Sequence, residues 1–534
     1  MAHWFTRTLA GVAAAAIALF PVQPAFAQGG STATPIKHIV VIFQENVSFD
    51  HYFGTYPNAT NPAGEPAFSA KSNTPVVNGL SPALLTKNPN LNPANGTGVG
   101  NPFRLDRSQA VTADQGHGYM QEQQAFDHGL MDLFPSTVGR PHTTNLNLGY
   151  FDGNTVTALW NYAQHFAMND NSFSSTFGPS TPGLLNLVSG QTNGAINAAT
   201  ASFAVVDGGN GSLSVISDAD PAGDACSGAA VFSMTGKNIG DLLEAAGVSW
   251  GSFMGGFNRL TVNPNGTTDC KRSSKGLSGT TADYIPHHAF FQYHASTSNP
   301  AHTRPGSVAE IGHDGPANHN YDVEDFFAAV SAGNFPAVSI LKAPAFQDGH
   351  AGYSNPLDEQ NFIVRVLNFL QTQPDWNSTA VVVMYDDSDG WYDHQMSPII
   401  NQSQGSQDAL TGHDPLTGTG LCGSSATSTA LPGVDPANAH ALGRCGYGPR
   451  QPFLVVSPWA RKNFVDHSIT DQSSVIRFIE DNWLGGERIQ GSFDSIAGPI
   501  NGMFDFSQQG NQNQGNPLIL DPSTGTVVNQ QNQQ

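Results

Sequence analysis

The chain predicts an α/β fold with a mostly parallel central sheet flanked by helices and interrupted by loop insertions. Two patterns carry this expectation. Short continuous apolar runs alternate with stretches whose apolar residues recur at three- and four-residue spacing, the order of strands joined by crossover helices. Runs such as Val381-Val382-Val383 suit strands covered on both faces. The length, 534 residues, is enough for one large domain of this kind with insertions or for two domains.

Taken in order, the first element stands outside the fold. Arg7, the apolar stretch from Leu9 to Phe20 and the pattern Ala25-Phe26-Ala27 compose a signal peptide over residues 1–27, too short to span a bilayer. The mature protein is expected to be secreted or periplasmic. No later segment approaches the roughly 20 apolar residues of a membrane span, so no transmembrane segment is expected. Residues 28–506 form the body. Strands are expected at 39–43, 249–254, 337–341, 380–384 and 453–456, and helices at 155–168, 238–246, 358–372 and 473–483. Residues 58–101, rich in Asn, Pro and Gly, and residues 397–448 read as loop excursions. Residues 507–534 are a polar tail with one apolar island at Leu518–Leu520.

The net charge of −21 excludes nucleic acid as a partner. Four cysteines in an exported chain predict two disulfides, with the local pairing Cys226–Cys270 and Cys422–Cys445 favoured; none has the spacing of a zinc site.

Two of the expected strands end in oxygen donors. The run at 39–43 leads into Glu45 and Asn46, and the run at 380–384 into Asp386 and Asp387. Ligands of open α/β sheets sit at the carboxyl ends of the strands, so the two ends can converge on one site. Neighbouring carboxylates raise each other's pKa and need a positive partner when buried. Glu45, Asn46, Asp386 and Asp387 therefore read as ligands of one hard divalent metal ion of the calcium, magnesium or manganese class, because an all-oxygen set favours these over zinc.

The turn GPSTPGLLNLVSG at 178–190 places Ser180 and Thr181 before Pro182 at a helix start. Backbone N–H groups and the helix dipole favour an anion there. Either hydroxyl can attack phosphorus, or simply cap the helix. Of 18 histidines, His117, His287, His288, His319, His350 and His394 lie in compact motifs. A protonated histidine near phosphate can hold the anion and protonate the leaving oxygen. His287 and His288 would face opposite sides if extended, so only one of them needs to reach the site.

These motifs, with IVVIFQENVSFDHYFGTYP, NHNYDVEDFF, DGHAGYSNPLDEQ, YDDSDGWYDH and GPRQPFLVVSPWARKNFVDH, occur in one order from Ile36 to Trp483. In this the chain resembles the bacterial acid phosphatase and phospholipase C family of phosphoesterases, whose core is alkaline-phosphatase-like. The resemblance implies that Glu45, Asn46, Asp386 and Asp387 hold the metal and that Ser180 is the nucleophile. It further implies that His117, His288 and His350 contact the phosphate or leaving group, with His287 beside them. The phospholipase branch tends to carry Thr, an aromatic residue, Pro and Asn at the nucleophile turn. Ser180, Thr181, Pro182 and Gly183 look instead like the acid phosphatase branch.

The function so implied is a secreted metal-dependent phosphoesterase, in the first place a broad-specificity acid phosphatase with a phosphoserine intermediate, in the second a phospholipase C. Its partner is a small phosphate ester or a phospholipid. An acidic optimum is expected if a protonated histidine serves the leaving group. A non-catalytic phosphate-binding protein would leave the hydroxyl beside the ligand set without a role. A glycosidase using Glu45 with Asp386 or Asp387 would leave Asn46, Ser180 and the histidines without one.

Overall fold

The computed structural model describes residue 1 and residues 31–139, 145–207, 212–401, 403, 407–410, 422, 445–507 and 517–528. The signal peptide expected at 1–27, much of the 397–448 excursion and parts of the tail lie outside the described residues. Eight strands form the main sheet: β1 (His38–Gln44), β2 (Ala167–Asn169), β3 (Trp250–Met254), β4 (Asn320–Asp322), β5 (Val338–Lys342), β6 (Thr379–Tyr385), β7 (Phe453–Val456) and β8 (Phe464–Asp466). Their order is β4-β3-β5-β1-β6-β7-β2-β8. All pair in parallel except β7, which runs antiparallel to both neighbours. The expected α/β architecture is therefore present.

Every residue of β1, β3, β5, β6 and β7 is buried, as continuous apolar runs require. The principal helices are α1 (Phe49–Phe53), α2 (Tyr119–Phe126), α3 (Thr157–His165), α4 (Ser180–Ser189), α5 (Ile239–Ala245), α6 (Val323–Ser331), α7 (Pro356–Gln371) and α8 (Ser474–Trp483). In α7 the apolar stripe Phe362, Ile363, Val366, Leu367 and Leu370 is buried, and Asn355 starts the helix by accepting from the N–H groups of Leu357 and Asp358 at 3.0 and 3.1 Å. One contiguous apolar core spans the sheet and α3, α7 and α8. The apolar island docks on α7, where Gln371 exchanges hydrogen bonds of 2.7 and 2.9 Å with the Leu518 backbone.

Three differences from the sequence expectation have physical causes. The helix expected over 155–168 ends at His165, because residues 167–169 are drawn into the sheet against β7. Strands β2, β4 and β8 have three residues each, too few to show a period. A second sheet of five strands of two to four residues, between Asn193 and Met234, escaped for the same reason. The 58–101 excursion carries no strand or α-helix, yet Asp152, Asn154 and Gln164 pin its backbone through bonds to Thr60, Asn61 and Lys71 at 2.9 Å. Both expected disulfides, Cys226–Cys270 and Cys422–Cys445, are formed.

Candidate active site

The central strands β1 and β6 lie side by side in parallel and end level, with Gln44 opposite Tyr385. Glu45 and Asn46 thus leave the sheet beside Asp386 and Asp387, and all four are buried. The Asp386 Oδ1 atom accepts from the backbone N–H of Asn46 at 2.9 Å and of Asp387 at 2.8 Å, clamping the two strand ends together. Asn46 adopts φ of 54°, a left-handed conformation that asparagine tolerates better than most residues.

Helix α4 delivers the hydroxyl. Pro179, which has no N–H and no polar side chain, occupies the N-cap, and Ser180 is the first helical residue. Ser180 Oγ lies 3.0 Å from Glu45 Oε2 and 3.3 Å from Asp387 Oδ2. The Thr181 N–H instead donates to Asp218 Oδ1 at 2.8 Å. A Cβ at Gly183 would fall far inside van der Waals contact with the Asp386 carbonyl oxygen, so the bare glycine lets α4 lie directly on the ligand turn.

The donor set fits a hard cation. Burial and then the Asp386 charge push the Glu45 carboxyl well up, with Lys342 opposing. Burial and Asp386 do the same to Asp387, with His117 opposing. The Asn46 side-chain amide lies between the Glu45 and Asp386 carboxylates and His350. Its nitrogen donates to Asp386 Oδ1 at 3.0 Å and its oxygen accepts from His350 Nε2 at 3.1 Å. Three carboxylates and an asparagine amide, all buried at the ends of two neighbouring strands, are the oxygen-bearing groups a hard cation takes.

The histidines divide. His288 Nδ1 stands 3.3 Å from Glu45 Oε1, and burial drives its pKa well down. His350 is pulled down to about 4 by burial and then by His117. His117 Nδ1 is 3.0 Å from Asp389 Oδ1; burial disfavours its charge, but Asp387 and Asp389 outweigh it and raise the pKa well above the ordinary value. His287 points away from Glu45 toward Asp220, 3.5 Å off, and is raised by Asp220 and Asp218 against the effect of burial. The rings of His287 and His288 stand perpendicular, 89° apart, in a tight helical turn, Pro286–His288, rather than on an extended chain. A recess of about 470 Å³ opens at the start of α4, lined among others by Gln115, Gly116, His117, Gln121, Pro179 and Asp218.

Several site residues went unread in the sequence. Lys342 closes β5 and pairs with Glu45. Asp348, pushed up to about 8 by burial, gives its carbonyl to the Glu45 N–H at 2.8 Å. Glu122, raised to about 7 by burial, accepts from the Gly178 N–H at 2.8 Å and from Ser388 Oγ at 2.7 Å, joining the Ser180 turn to the Asp386–Asp387 turn. Asp348 stands two residues from His350 in the same motif, which was a usable signal.

These features define an α/β protein with an oxygen-donor cluster and a serine-bearing helix start at the carboxyl ends of its central strands. The Phosphoesterase family profile matches residues 36–484, and the chain belongs to that family. It is 26% identical to the non-hemolytic phospholipase C of Pseudomonas aeruginosa over 89% of this chain, and spans 58% of that relative's length. It is 24% identical to phospholipase C A of Mycobacterium tuberculosis, over 92% of this chain and 81% of the relative. Among solved structures, a protein of the alkaline phosphatase superfamily from Vibrio parahaemolyticus aligns with TM-score 0.31 and 11% identity, over 89% of this chain and 73% of the other.

Proposed function

We propose that this protein is an exported, metal-assisted phosphoesterase that cleaves phosphodiesters of the phospholipid class through Ser180. One observation carries the reading: the Ser180 hydroxyl donates into the carboxylate cluster at Glu45 and Asp387 from the first residue of α4. A hard cation held by Glu45, Asn46, Asp386 and Asp387 would supply Lewis-acid polarisation of the phosphate and lower the hydroxyl's pKa.

The chain's own residues supply the rest. Ser180 Oγ forms the new bond to phosphorus as the bond to the leaving oxygen breaks, and its proton passes to the carboxylate cluster. The leaving oxygen takes a proton from His117 or His287, the two histidines whose pKa neighbouring carboxylates raise against the effect of burial. The N-terminus of α4 and Lys342 offset charge near the phosphate. Water then hydrolyses the phosphoseryl ester by the reverse proton path. A signal peptide at residues 1–27 and two disulfides support export.

The relatives favour the diester reading over the acid phosphatase that the nucleophile turn suggests. That second reading keeps one specific support: Ser180-Thr181-Pro182-Gly183, with Gly183 packed where a side chain would not fit. Hydrolysis of phosphatidylcholine vesicles and of a chromogenic phosphomonoester, compared at equal enzyme concentration, separates the two. A higher kcat/KM on the lipid supports the diester reading; a higher one on the monoester returns the protein to the acid phosphatases.

A further inference from the structure

A second cluster of ligand-type side chains lies at the opposite end of the sheet. Trp250 opens β3 level with Ile39 of β1, since both pair with Val338. Six residues of strand separate Ile39 from Glu45, so the cluster is about 20 Å from the catalytic carboxylates. It consists of His319, just before β4, Glu244 on the last turn of α5, and Asp314 on the turn between them.

His319 is 4% exposed, and its ring stacks on the Trp250 indole with centroids 4.3 Å apart and planes 9° apart. Its Nδ1 lies 2.8 Å from the Trp250 carbonyl oxygen. A carbonyl only accepts, so the proton is on Nδ1 and a neutral ring presents a lone pair at Nε2. Nε2 is buried and makes no hydrogen bond, although Glu244 Oε2 is 2.8 Å away and Asp314 Oδ1 3.9 Å. Nε2 and the two carboxylates thus crowd around one point. Two ligands of one ion stand in this way, side by side, with lone pairs converging on a point between them. The Nδ1 bond to a backbone carbonyl is also the partner that orients metal-bound histidines.

We propose that His319, Glu244 and Asp314 form a second cation site, of the zinc class, that ties the end of α5 and the 312–319 turn to the edge of the sheet. One imidazole with two carboxylates suits zinc, where the all-oxygen catalytic set does not. The site opens on a recess of about 230 Å³ that His313 also lines, with room for water to complete the coordination. At the amino ends of the strands, away from the reaction centre, such an ion holds structure.

The test is zinc binding by equilibrium dialysis, comparing the full protein with Glu244→Gln, a near-isosteric change at a side chain 44% exposed. The wild type is expected to bind one zinc equivalent more than the variant, or to bind it at least about tenfold more tightly, and zinc is expected to raise its unfolding midpoint further. Diffraction from zinc-soaked crystals should place an anomalous peak beside His319 Nε2. Equal zinc stoichiometry and affinity in the two proteins, or no peak at His319 under saturating zinc, would overturn the proposal. Unchanged phosphoesterase activity of Glu244→Gln is the check that the variant is folded.

Discussion

Ser180 and Asp386 do different work within one cluster, and substitution should separate them. On the proposed reading Ser180→Ala removes the attacking oxygen but no ligand; kcat is expected to fall by on the order of 10⁴-fold or more while bound metal, measured by elemental analysis, stays at the wild-type level. Asp386→Asn should lose metal and activity together, since Asp386 also clamps the Asn46 and Asp387 N–H groups. At His287 the raised pKa depends on Asp220, so Asp220→Asn should lower it. If His287 serves the leaving group, activity is lost as pH rises through its pKa, and the alkaline limb of the kcat profile should move to lower pH in this variant. The oxygen donors were legible in the sequence because each closes an apolar run. Lys342 was not, because a lysine after a strand reads as a solvent-exposed end unless the carboxylate it faces is already known.

At the scale of elements, α4 and the β6 turn are matched surfaces. A methyl at position 183 would strike the Asp386 carbonyl oxygen, so Gly183→Ala should push Ser180 away from Glu45 and Asp387. We expect it to lower kcat at least about tenfold, with a lower unfolding midpoint by calorimetry, through overpacking of about 1–3 kcal/mol. A second junction joins α1 to the segment after β6. His394 Nδ1 meets Asp50 Oδ2 at 2.6 Å, and buried Arg450 reaches Asp50 Oδ1 at 3.1 Å and Asp393 at 3.2 Å. Burial opposes both charges of the first pair, yet Asp50 is held down by His394 and Arg450, and His394 is raised by Asp50. The lowered aspartate contributes stability above its unfolded pKa of about 3.9, lost as pH falls through its folded value; the raised histidine contributes below about 6.5, lost as pH rises through its own folded value. His394→Gln should therefore cost most in thermal stability between these limits, and the deficit should shrink as pH climbs through the wild-type histidine's pKa. The long strands and helices were legible from period and length, but the antiparallel direction of β7 was not, since direction depends on connections that hydrophobic pattern does not encode.

At the scale of the whole molecule, the parallel sheet explains why residues more than 300 positions apart form one site. Glu45, Ser180, Lys342 and Asp386 reach it from β1, α4, β5 and β6, and each is placed by an element whose other face belongs to the same core. The His319 cluster lies at the amino ends of the edge strands β3 and β4, so the two ends of the sheet divide chemistry from structure. No helix among the described residues is long and apolar enough to cross a membrane. The nucleophile turn and the relatives point to different substrates because four residues at one turn record a local packing solution, Gly183 on Asp386, while the relatives' similarity extends over most of the chain. Both substrate readings share one covalent step. The most direct measurement is mass spectrometry of the peptide carrying Ser180 after acid quench of the metal-loaded protein turning over a phosphodiester: the account predicts a phosphoryl ester on Ser180 that disappears when substrate is exhausted, and an unmodified Ser180 peptide together with full activity in Ser180→Ala would contradict it.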